Sequence, residues 1–86
     1  MPEISRFLGI IITMYFNEHD PPHFHARYGE HKAEIAIETL SLIAGRLPPR
    51  VLGLVMEWAA LHRAELLDDW DLARGKAELK KIAPLE

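Results

Sequence analysis

The chain has 86 residues, 49% of them hydrophobic and 27% charged, which suits one domain with a thin core and gives no sign of long disorder. It contains no cysteine, which excludes a disulfide scaffold, a thiolate-ligated zinc site and thiol catalysis. The net charge of −3 argues against a nucleic-acid partner, and the main basic cluster, Lys76, Lys80 and Lys81, reads as a solvated tail.

The first apolar run, "FLGIIITMYF" over 7–16, reads as a strand. One parity is wholly apolar (Leu8, Ile10, Ile12, Met14, Phe16) and the other is mixed (Phe7, Gly9, Ile11, Thr13, Tyr15). The run is too short to span a bilayer and lacks the basic leader of a signal peptide, so no membrane association and a cytoplasmic location are expected. "NEHDPP" follows as a loop, because two prolines cannot donate ladder bonds and Asn and Asp favour turns.

Strands are predicted over 23–28 and 32–38, with Gly29 and Glu30 between them. Register follows from side-chain chemistry. Setting Phe24 opposite Ile35 and Ala26 opposite Ala33 gathers the apolar residues on one face, whereas a one-residue slip mixes the faces. The favoured register puts His23, His25 and Arg27 on the other face, with His25 across from Glu34. A turn near "ETLS" leads to a short strand, 42–45.

"LPPR" then opens a helix, since proline is tolerated in a first turn. Leu47, Val51, Leu54, Val55, Trp58, Leu61 and His62 form its apolar stripe. A straight continuation would carry Glu65 and Asp69 into that stripe, so a bend is expected between residues 61 and 66. Leu66, Leu67, Trp70 and Ala73 form a second face, and Gly75 ends it. Trp58 and Trp70 read as core residues and His62 as a hydrogen-bonded structural histidine. "ELKKIAPLE" reads as an extended tail that adds at most one strand. The pattern gives a single α+β domain over 1–86, with strands within 7–46, helices over 48–74 and a tail over 76–86. Its sheet is an antiparallel meander of about four strands with the C-terminal helices on one face.

An activity has to sit on the other face. Four of the five histidines fall in "HDPPHFHARYGEHKAE". Tyr15, His19, Asp20, His23, His25, Arg27 and Glu34 are the candidate functional residues, flanked by Thr13 and Asn17. Three readings compete. In the first, His23 and His25 point the same way from one strand and Glu34 completes a site for zinc or another divalent transition metal. "HFHARYGE" resembles half of a cupin metal motif through Glu30, but Asn17 and Ile37 replace its flanking glycines and the strands are too few for a barrel. In the second, a neutral histidine, a carboxylate and Arg27 act without metal as a ribonuclease, one group taking the 2′-hydroxyl proton and the cation steadying the phosphorane. The third leads: no cofactor, and a mixed aromatic and arginine face that binds a second copy or a small protein partner. Phe7, Ile11 and Tyr15 would be partly exposed without one.

Three stretches carry a family resemblance: "MYFNEHDPPHFHARYGEHKAEIAIET", "LPPRVLGLVMEWAALHRAELLDDW" and "LKKIAPL". Together they span most of the chain and resemble a small bacterial family, the domain of unknown function numbered 4160. The resemblance implies a component of a two-gene operon, with a toxin–antitoxin-like or regulatory pairing to a neighbouring gene's product. It supplies no catalytic residues.

Overall fold

The computed structural model describes residues 2–86. Five strands form one antiparallel meander: β1 (Glu3–Phe7), β2 (Ile10–Thr13), β3 (His23–Tyr28), β4 (His31–Ala36) and β5 (Leu42–Gly45), in the order β1-β2-β3-β4-β5. Two helices follow, α1 (Pro49–Leu61) and α2 (Arg63–Arg74). The domain is α+β, as the run of strands followed by helices requires.

The first apolar run is a hairpin rather than one strand. Leu8 and Gly9 both have positive φ, 50° and 80°, which is the backbone of a tight two-residue hairpin turn. Phe7 therefore faces Ile10 across the turn, and both are buried. This corrects the expectation that Phe7 is partly exposed: it packs 5.4 Å from the Trp58 ring. Ile11 and Tyr15 are half-buried as expected, while Leu8 and Phe16, assigned to the buried parity, lie exposed in the turn and the loop.

The β3–β4 register is the one the apolar pattern demands: Phe24 pairs with Ile35, Ala26 with Ala33, and His25 with Glu34. Ile10, Ile12, Met14, Phe24 and Ile35 point under the helices and are fully buried. Gly45 closes β5 at a φ of +79°, and a Cβ there would sit 2.1 Å from the Lys32 carbonyl oxygen, so only glycine fits.

Pro49 occupies the first turn of α1, and Val51, Val55, Trp58 and Ala59 form its buried stripe. The helix axis breaks at His62 (φ −120°, ψ 24°) between the two helices, where the polarity of the stripe changes. The break leaves Glu65 exposed, and its carboxylate pairs with His62 Nδ1 at 2.6 Å. It does not spare Asp69. That side chain is buried, one oxygen accepting the Lys80 N–H at 2.9 Å and the other making no hydrogen bond. Burial pushes the Asp69 carboxyl above its ordinary value, and the Lys80 N–H offsets this only in part.

The tail adds no strand, yet it is pinned. Ile82 is buried and its N–H donates to Ile4, the Trp58 indole N–H donates to the Ala83 carbonyl, and Lys81 donates to the Glu3 carbonyl. These contacts cover the outer edge of β1. No helix among the described residues is long and apolar enough to cross a membrane.

Candidate functional site

The face of the sheet turned from the helices carries two rows of side chains, set by the pairing. Thr13, His25, Glu34 and Ala44 lie in one row, and Ile11, Arg27 and Lys32 in the next. His23 stands two residues before His25 on the same face, because side chains alternate along a strand. The loop after β2 bends back over this row. Asn17 takes a positive φ of 60°, a conformation asparagine tolerates, and this turn delivers Glu18 to the histidines.

Glu18 is the hub. Its Oε1 lies 2.5 Å from His25 Nε2 and 3.2 Å from His23 Nε2. The three ligand-type atoms of Glu18, His23 and His25 all fall within 4.8 Å of one another. Glu34 stands next to the group, its Oε1 at 3.7 Å from His23 Nε2. His23 is the buried member, its side chain 7% exposed, against 24% for His25 and 29% for Glu18. Burial pushes the Glu18 carboxyl up, but the His25 hydrogen bond and the charges of His25 and His23 outweigh that and hold it below the ordinary value.

Both histidines are held in place. His23 Nδ1 lies 2.8 Å from the Pro21 carbonyl oxygen. A carbonyl only accepts, so Nδ1 carries a hydrogen, and Nε2 faces Glu18 and Glu34 as a lone pair in the neutral tautomer or as a donor when protonated. Trp70 of α2 covers the His23 ring at 5.2 Å, so this end of the face is not free of the helices, contrary to a strictly two-sided reading of the sheet. Tyr15 meets the His25 ring edge-on at 4.4 Å.

The predicted residues thus divide. His23 and His25 converge, Glu34 borders them, and Tyr15 packs on His25. His19 and Asp20 are exposed in the loop rim, where Asp20 pairs at 3.7 Å with Arg74. Arg27 is exposed in the second row, beside a hollow.

A family model described as a domain of unknown function, DUF4160, matches residues 9–71 of this chain. The chain belongs to the DUF4160 family. No curated protein and no solved structure matches it.

The DUF4160 match covers Glu18, His23, His25 and Glu34 alike, and it says nothing of their roles. Glu18 is the residue that reading the sequence missed. Strand parity places His23, His25 and Glu34, whereas a loop has no period that assigns a face. The available signal was an acid between an asparagine, a residue that tolerates a left-handed turn, and a double proline. Loop residues often carry the chemistry that a rigid sheet positions.

Proposed function

We propose that Glu18, His23 and His25 bind one divalent transition-metal ion, zinc being the first candidate, and that the protein works by presenting this ion on the open sheet face. The observation that carries the reading is the convergence of the Glu18, His23 and His25 ligand atoms within 4.8 Å, with His23 Nδ1 against the Pro21 carbonyl. With Nδ1–H donated to Pro21, the Nε2 lone pair and the Glu18 carboxylate are two acceptors facing each other at 3.2 Å. Two acceptors repel unless a proton on Nε2 or a metal cation lies between them, so the pair is a seat for positive charge. A backbone carbonyl on the far nitrogen is also the usual support of a metal-bound imidazole. Tetrahedral ligands about 2.0–2.1 Å from an ion stand roughly 3.4 Å apart, close to the His23–Glu18 separation, while the 2.5 Å His25–Glu18 hydrogen bond would have to open around an ion. Two imidazoles and one carboxylate suit zinc, iron or copper better than calcium or magnesium, and three ligands leave a position for water or an incoming group.

Chelator-stripped protein is titrated with zinc chloride, with heat of binding and melting temperature as readouts. One ion binds per chain and raises the melting temperature, and the His23→Ala, His25→Ala double variant loses both responses. Equal zinc binding by the double variant overturns the proposal.

A second reading, docking of a small protein partner, is supported by the opposite edge of the sheet. The tail covers the β1 edge, but β5 is the last strand on its side, with Leu42 and Ile43 exposed at 42% and 44%. An uncovered apolar edge suits strand addition by a partner chain, such as the product of a neighbouring gene. Ile43→Lys should abolish co-purification with that product; a complex that survives the change removes this reading.

A further inference from the structure

The second row of the open face poses a problem that the metal reading does not solve. Arg27 and Lys32 are directly opposed across β3 and β4. Like charges in that position repel and weaken the pairing. Among the described residues neither side chain has an ion pair within 4.0 Å or a hydrogen bond. Glu3, whose carboxyl feels the charge of Arg27, is held by two nitrogens of Arg6 at 2.7 and 3.1 Å. A chain with a net charge of −3 therefore places two cations side by side with no ion pair on either. Between them and His25 lies a hollow lined by Ile11, Thr13, Tyr15, His25, Arg27 and Lys32. Its rim thus brings two cations together with the side chains of Thr13 and Tyr15, both of which carry a hydroxyl.

We propose that this hollow is a phosphate subsite, in which Arg27 and Lys32 hold the dianionic group of a phosphomonoester whose remainder lies toward Glu18, His23 and His25. Two cations call for a group of charge near −2 rather than a carboxylate. A phosphate monoester carries about −1.5 to −2 at neutral pH and three acceptor oxygens, enough for the arginine fork, the ammonium and a hydroxyl. The spacing fits as well. Residues two apart on a strand face are about 6.6–6.8 Å apart, so a phosphate on the Arg27–Lys32 row puts its ester substituent within a few bonds of the histidine row. The inference rests on the reading of this face as a ligand site and gives that site a substrate class.

The test uses phenyl phosphate as the probe, with phenyl acetate as an uncharged isostere and sodium chloride at matched ionic strength. Phenyl phosphate should bind the metal-free protein and raise its melting temperature, while the two controls should not. The Arg27→Gln, Lys32→Gln double variant should bind the probe at least tenfold more weakly. The same variant should melt higher than wild type at low salt without ligand, because it removes the opposed charges; this separates loss of binding from loss of fold. The Arg27→Gln, Lys32→Gln variant should keep the zinc response of wild type, so failure of the metal reading and failure of this one are distinguishable. An equal effect of chloride, or undiminished binding by the double variant, overturns the subsite.

Discussion

Replacing Glu18 by glutamine keeps the shape of the side chain and removes its charge, at the one atom that lies within hydrogen-bond reach of both His25 and His23. In the metal-free protein the loss is modest. A hydrogen bond to a charged group is worth about 1.5–3 kcal/mol, but this carboxylate is partly exposed and glutamine still accepts from His25, so about 1 kcal/mol is expected. With metal the difference is larger. At a zinc concentration a hundredfold above its dissociation constant, binding stabilises the fold by about 2.7 kcal/mol. For a domain of this size that is a rise of roughly 10–20 °C in melting temperature. If loss of the third ligand weakens binding about a hundredfold, the stabilisation at the same zinc concentration falls to about 0.4 kcal/mol, or roughly 2–3 °C. Glu34→Gln serves as the comparison, since Glu34 approaches only His23, at 3.7 Å, and should retain most of the zinc response. Differential scanning fluorimetry with and without zinc reads all three proteins. A full zinc shift in Glu18→Gln, or its loss in Glu34→Gln alone, would refute the assignment of Glu18 as the ligand.

Three further outcomes follow from the packing. Asp69 has a carboxyl raised by burial, so between its unfolded and folded pKa the native state binds more protons; its contribution favours folding at low pH and is lost as pH rises through the raised value. Asp69→Asn should flatten that part of the stability–pH profile measured by urea unfolding, and an unchanged profile would show that Asp69 does not carry it. Gly45→Ala should destabilise by about 2 kcal/mol or more, since it combines a positive φ with a Cβ placed 2.1 Å from the Lys32 carbonyl, whereas Gly29→Ala, with open space around it, should cost about 1 kcal/mol. Equal losses in thermal melts would contradict the clash. Trp58→Phe keeps a ring in the core but removes the indole donor to Ala83; it should cost about 1–3 kcal/mol and speed hydrogen exchange at Ile82, whose N–H reports the docked tail.

Much of the fold was legible because local pattern and burial agree. Alternation of apolar and polar residues over 23–36 admits one register, since a slip by one would send Phe24 and Ile35 to opposite faces. The break near His62 was legible for the same kind of reason, since a single straight stripe would have to change from Trp58 to Glu65, but Leu61, read into that stripe, lies exposed. Where every residue is apolar, the pattern has no contrast. The 7–16 run reads as one strand, and only the turn at Leu8 and Gly9 decides that it folds back on itself and buries Phe7. Asp69 illustrates the limit of polarity as a guide, because its burial depends on the Lys80 N–H, supplied by a tail eleven residues further on.

The sequence by itself determined the α+β order, the β3–β4 register and the shared face of His23, His25 and Glu34, because strand periodicity ties side-chain direction to residue number. Only the tertiary structure decided that Glu18 is the carboxylate both histidines meet, that Trp70 covers His23, and that, among the described residues, Arg27 and Lys32 stand side by side without an ion pair of their own. A loop has no such period. The position of Glu18 depends on how residues 14–22 close over a sheet already built, and the cover over His23 depends on a helix nearly fifty residues away along the chain. Both are settled by which surfaces meet when the strands and helices pack.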